Sequence, residues 1–177
     1  MTTPRKTILY IACSIDGYIA KPNDNLDFLQ IVEQVGEDYG YADFIKEIDT
    51  VIMGRKTYDW VMKQVPEFPH ADKTSYIITR TQKPSVRKTH FYTGSIKALV
   101  QKLKSEQGKH IFVDGGAEVV NELLKGELID EIYLSIIPVL LGGGTRLFKD
   151  GLPEQKMTLI SSKQFGKGLV QLHYIHA

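Results

Sequence analysis

The chain has 177 residues, 42% of them hydrophobic, 24% charged and 10% aromatic, which is enough chain of globular composition to bury a core. Its 22 Lys and Arg against 21 Asp and Glu leave a formal charge of +1, without the basic excess of a dedicated nucleic-acid binder. The single cysteine, Cys13, excludes an internal disulfide and a Cys-rich zinc site and fits a reducing cytoplasm.

The elements follow in chain order. Thr7–Ser14 (TILYIACS) reads as a buried strand. Asp16 and Gly17 interrupt the apolar stretch around it, so no signal peptide is expected. Nor does any run approach the ~20 apolar residues of a membrane helix. Leu26–Val35 reads as a helix. A second short helix spans Tyr41–Ile48, with Phe44, Ile45 and Ile48 on one face. Thr50–Met53 is a strand, Thr57–Gln64 a helix stopped before Pro66, and Ser75–Thr79 and His90–Tyr92 are strands. Ser95 caps a helix in which Ile96, Leu99, Val100 and Leu103 recur at helical spacing, with Gly108 beyond its end. His110–Val113 is a strand, Ala117–Lys125 a helix ended by Gly126, and Glu131–Leu140 a long strand. Met157–Gln164 and Leu169–His176 flank FGKG as a closing hairpin. This order predicts one α/β domain over residues 1–177. It is a three-layer α/β/α arrangement, its central sheet mostly parallel, with an antiparallel C-terminal hairpin.

Four turns carry candidate chemistry. Gly54-Arg55-Lys56-Thr57 lies where a strand hands over to a helix. Backbone N–H groups, a hydroxyl and two cations there suit a phosphate, and suit equally a capped surface helix. Thr79-Arg80 ends another strand and offers a hydroxyl and a bidentate guanidinium, or an ordinary strand exit. Gly115-Gly116 permits close backbone approach by a ligand, or simply a tight turn. It is not the GxGxxG fingerprint, and no GxxxxGK[ST] loop is present. Small residues from Ala12 to Ala20 leave room for a flat ring. All four turns fall at strand carboxyl ends, where open α/β sheets bind ligands. No His, Cys and Asp cluster has metal-ligand spacing, so no metal is expected.

The motifs SIDGYIA (14–20), MGRKT (53–57), ITR (78–80), VDGG (113–116) and IYLSIIPVLLGGGTRLF (132–148), in this order, resemble the dihydrofolate reductase superfamily. The chain is most similar to the branch containing the reductase domain of the riboflavin-biosynthesis deaminase/reductase. The resemblance implies that fold and NADPH as cofactor. It sets Ala12 and Ile19 against the nicotinamide, and Gly54, Arg55, Lys56 and Thr57 around the adenine-side phosphates, Thr57 and the helix N-terminus taking the pyrophosphate. Thr79 and Arg80 would take the 2′-phosphate. Gly115 and Gly116, often joined by a cis peptide in that family, and Ala117, Glu118 and Val119 would border the pyrophosphate. Asp27 matches a carboxylate that orients the substrate and aids its protonation, and Ser135 a hydroxyl supporting it. Arg146, near the triple glycine, would meet an anionic substrate group or solvent. The branch also implies a homodimer. No deaminase half is expected in these residues, which hold no H-x-E with P-C-x-x-C.

The expected activity is NADPH-dependent reduction of a small substrate, pterin-like or a pyrimidine of the riboflavin route. The alternative is an NADPH-binding protein without turnover, a sensor or accessory subunit. The near-zero charge and the lack of an amphipathic anchor speak against a nucleic-acid or membrane partner.

Overall fold

A computed structural model describes residues 4–177. In chain order its strands are β1 (Thr7–Ser14), β2 (Tyr18–Ala20), β3 (Ile48–Gly54), β4 (Thr74–Ile78), β5 (Thr89–Tyr92), β6 (His110–Gly115), β7 (Glu131–Ile137), β8 (Thr145–Arg146), β9 (Met157–Gln164) and β10 (Val170–His176). The α-helices are α1 (Tyr41–Lys46), α2 (Arg55–Gln64), α3 (Ile96–Ser105) and α4 (Ala117–Lys125). Eight strands pair into one sheet in the order β5-β4-β3-β6-β1-β7-β10-β9, and β2 and β8 form a separate ribbon. Pairing is parallel from β5 to β7. It turns antiparallel at β10 and again at β9, as the closing hairpin requires.

Strand alternation sorts the helices into two layers. Val51 and Ile52 are both fully buried although neighbouring residues of a strand point to opposite faces. Val51 and Phe112 pack with Phe44 and Ile45 of α1. Met53, on the same face as Val51, packs with Tyr58 and Val61 of α2. Ile52, Leu9, Ile111 and Val113 face the other way, onto Leu99, Val100 and Leu103 of α3 and Val120, Leu123 and Leu124 of α4. The apolar spacing of α3 is the cause of its burial, and Ser95 Oγ accepts the Ala98 N–H at 3.3 Å to close its first turn. The layers and the C-terminal hairpin are those the sequence predicts.

Three segments differ from their sequence reading. Leu26–Val35 is not an α-helix but a 3₁₀ helix over Asp27–Val32. Only Phe28 and Val32 reach the core, and Val35 lies fully in solvent, so the apolar pattern overstated its length. The strand read as Glu131–Leu140 ends at Ile137, because Pro138 has no N–H to continue a ladder and Leu140 is exposed. The α1 helix stops at Lys46, and Ile48 already belongs to β3.

One buried side chain ties the triple-glycine loop to the body. Asn121 Nδ2 donates to the carbonyls of Ala117 and Leu147, each at 2.7 Å, and its Oδ1 accepts the Lys149 N–H at 2.9 Å. Leu147 has no exposure. Asn121→Ala strands these buried groups. It is expected to lower unfolding stability by about 2–4 kcal/mol, read as a lower urea midpoint at unchanged slope.

Candidate active site

Two helices begin at glycines that touch each other. β3 delivers Gly54 to the start of α2, and β6 delivers Gly116 to the start of α4, with Met53 and Gly115 paired across the two strands. Neither helix has a side-chain cap, so their first-turn N–H groups stay available. A Cβ on Gly116 would lie 2.9 Å from Thr57 Oγ1, and one on Gly54 would lie 3.3 Å from Val119 Cγ2 and 3.5 Å from the Gly116 nitrogen. The absent side chains therefore leave a bare backbone cradle, with two positive helix ends aimed at one place. The Gly115–Gly116 peptide is cis. This donor set suits a pyrophosphate, the anionic centre of a dinucleotide such as NADPH.

The remaining residues singled out for the cofactor are distributed unequally around this cradle. Ala117 and Val119 are buried in α4, while Glu118 is exposed in its first turn. Arg55 turns along its own helix. Its Nε donates to Asp59 Oδ1 at 2.7 Å, and its guanidinium lies 5.6 Å from the Phe91 ring centre. Lys56 is exposed. Thr79 and Arg80 follow β4, the neighbour of β3; Thr79 Oγ1 accepts the Thr81 N–H at 3.1 Å, and Arg80 is exposed. Ile19, on β2, packs partly buried against the larger core cluster.

Ala12 lines a cleft of about 540 Å³ on the α1 face of the sheet. Tyr10, Ala12, Ser135 and Ile137 form its floor. Leu29, Gln30, Val32 and Glu33 of the 3₁₀ segment and its end form the roof, and Asp38, Tyr39 and Leu169 close the far side. Parallel pairing puts Ala12 beside Ser135, and antiparallel pairing puts Gln171 on the other side of Ser135. Gln171 Nε2 donates to Tyr10 Oη at 2.9 Å and Ser135 Oγ at 3.1 Å, with the Tyr39 carbonyl also in reach at 3.2 Å. The Tyr10 hydroxyl donates to that same carbonyl at 2.7 Å. Burial raises the Tyr10 pKa above its usual value, so this hydroxyl stays protonated.

Asp27 does not line the cleft. Its carboxylate is half exposed and pairs with Lys21 Nζ at 2.6 Å, because the 3₁₀ turn directs Phe28 and Val32 inward and Asp27 outward. Ser135 does line it, but its partner is Gln171 rather than Asp27. Tyr10 in the cleft lining, and Gln171 bonded to Tyr10 and Ser135, lie outside the quoted motifs, and Asp114 lies in VDGG without an expected role. Alternation along β1 sets Tyr10 on the face of Ala12, and antiparallel register sets Gln171 beside Ser135. Asp114 immediately precedes the paired glycines and holds the buried His70, Oδ2 to Nε2 at 3.1 Å.

A carboxylate joins the loops at the mouth. Asp16 accepts the Ser14 hydroxyl at 2.6 Å, the Leu141 N–H at 3.0 Å and the Gly142 N–H at 2.7 Å. Next to it β2 pairs with β8. A Cβ on Gly144 would meet the Ala20 carbonyl oxygen at 2.0 Å, and its φ of +127° already requires glycine. Arg146 lies over the Tyr18 ring at 5.4 Å. Among the described residues no group of three His, Cys, Asp or Glu is placed to hold a metal, and no helix is long and apolar enough to cross a membrane.

The comparisons with known proteins agree with this architecture. The family model described as RibD C-terminal domain matches residues 5–171. Two Bacillus subtilis proteins described as uncharacterized are similar over nearly their whole lengths. YwjB is 45% identical, covering 98% of this chain and 99% of its own, and YyaP is 32% identical, covering 96% and 94%. A solved structure from Shewanella sp. PV-4, named as a candidate riboflavin biosynthesis protein, superposes with a TM-score of 0.88 at 28% identity, covering 97% and 99%. Two more distant structures share the fold. Acinetobacter baumannii RibD has a TM-score of 0.69 at 19% identity, this chain covering 58% of it and 98% of itself being matched. Enterococcus faecalis dihydrofolate reductase, solved with NADP(H), has a TM-score of 0.67 at 16% identity, covering 97% and 96%.

The Ser14 hydroxyl, followed by the Gly142 and Leu141 amides, lowers the Asp16 pKa from 3.8 to about 2. A depressed carboxylate pKa stabilises the fold above the unfolded value, and that contribution is lost as pH falls from about 4 through about 2. A carboxyl NMR titration is expected to place Asp16 near 2, and Asp16→Asn to remove this part of the acid sensitivity from urea unfolding.

Proposed function

The chain belongs to the RibD C-terminal domain family, and from that premise we propose that it is an NADPH-dependent reductase of a small heterocyclic substrate. The substrate class is pterin-like or a pyrimidine of the riboflavin route, and the enzyme works in the cytoplasm as a homodimer. The observation that carries the reading is the meeting of two uncapped helix starts at Gly54 and Gly116, one strand away from the cleft beside Ala12. A dinucleotide whose pyrophosphate lies in that cradle has its reactive ring at the cleft, and when bound NADPH supplies the hydride.

The chain's own residues bind and orient. Gly54, Thr57, Gly115, Gly116 and the first turn of α4, Ala117 to Val119, hold the pyrophosphate through backbone N–H groups and one hydroxyl. Lys56 adds charge to the phosphates, and Arg55 supports the turn by packing on Phe91. Thr79 and Arg80 hold the 2′-phosphate, which gives the preference for NADPH over NADH. Ala12 and Ile19 border the nicotinamide. Ser135, Gln171 and Tyr10 orient the acceptor from the floor, the part first expected of Asp27. The 3₁₀ roof excludes water from the acceptor's face.

Fluorescence titration is expected to give a micromolar NADPH affinity. Arg80→Ala should weaken NADPH at least tenfold while leaving NADH unchanged. If neither nucleotide binds below millimolar, the reading is lost. In a spectrophotometric panel of pterins and aminouracils, Ser135→Ala is expected to lower kcat/KM at least tenfold, and Asp27→Asn by less than threefold. Binding of NADPH with no oxidation by any member of the panel would favour a binding protein without turnover.

A further inference from the structure

We infer that the acceptor taken by the cleft beside Ala12 is flat, unphosphorylated, and neutral or cationic. The inference rests on the reading of this cleft as the acceptor site of the reductase. Two lining residues, Glu33 and Asp38, carry carboxylates, and none of the lining residues is Lys, Arg or His. Glu37 adjoins them, its Oε1 accepting the Tyr39 N–H at 2.8 Å. Two acids thus line the cleft and a third precedes Asp38 in the chain.

The backbone N–H groups beside the cleft that could receive a phosphate are already engaged. A phosphate monoester needs Arg or Lys, or free N–H groups. Beside the cleft, the N–H groups of Gly40 and Ala42 at the start of α1 are both taken by Asp38, each at 2.9 Å. Lys167 donates to the Glu33 carbonyl, and Lys21 holds Asp27. A dianion here would meet the Glu33 and Asp38 carboxylates with no cation among the lining residues, and like charges at close range repel.

What the cleft offers instead is suited to a ring. Leu29, Val32, Ile137 and Ala12 present apolar walls to its faces. Ser135, 5% exposed, accepts from Gln171 and keeps its own hydrogen for a ligand oxygen or nitrogen. Glu33 and Asp38 can accept from ring or exocyclic N–H groups, or attract a protonated ring. One related enzyme is named for reducing 5-amino-6-(5-phosphoribosylamino)uracil. The same pyrimidine without its phosphate matches this chemistry, so the reaction that supplies the substrate must yield a dephosphorylated or never phosphorylated compound.

The test is calorimetric titration of the full chain, with and without NADPH, using 5-amino-6-(ribosylamino)uracil and its 5′-phosphate as a matched pair. The unphosphorylated member is expected to bind at least tenfold more tightly, and Glu33→Lys to narrow the gap to less than threefold. Equal or tighter binding of the phosphate, or binding of neither below millimolar, overturns the inference. Loss of NADPH binding with the order of the pair intact would sink the reductase reading and support the charge argument. NADPH binding with the order reversed would sink the charge argument alone.

Discussion

Parallel pairing of β1, β3, β4 and β6 is the constraint on which the site depends. Parallel neighbours run in the same direction, so the turns that follow them share one edge of the sheet. Gly54, Thr79, Gly116 and Ala12 are far apart in the chain and come together only for this reason. The helices after β3 and β6 start on that edge with their amides bare, and the positive ends of two dipoles coincide. Antiparallel pairing at any of these positions would send one of the turns to the opposite edge.

Much of this arrangement is legible in the chain. Buried strands such as Thr7–Ser14 and the period of α3 carry strong patterns, and the observed elements follow them within a residue or two. The pairs of turn residues at strand ends announce the cradle. The cleft is much less legible, because its floor comes from two strands, β1 and β7, and is held from a third, β10, and their alignment depends on register. No local pattern brings Gln171 beside Ser135 and within reach of Tyr10. The expectation for Asp27 rests on its place in a first helix, and the side a short 3₁₀ turn presents follows instead from the tertiary packing of Phe28 and Val32. The β2–β8 ribbon carries no readable sequence period because its strands have only three and two residues. It exists through a close backbone approach at Gly144.

The cradle and the cleft divide the electrostatic work. The cradle answers negative charge with backbone amides and a few cations at the sheet edge. The cleft, with Glu33 and Asp38 at its rim and hydroxyls beneath, has the opposite preference. Asp16 contributes here as well, fixing the loop after β1 to the glycine-rich loop after β7 so that the mouth has a defined edge.

The central position of β1 carries a consequence for biosynthesis. It is the first strand made, yet its neighbours are β6 and β7, which begin at His110 and Glu131. Until those strands emerge, neither edge of β1 has its native partner strand. A nascent chain thus spends most of its synthesis with both edges of its central strand open. Such long-range closure slows folding and exposes strand edges to wrong pairing, and so favours capture by chaperones that bind extended apolar segments.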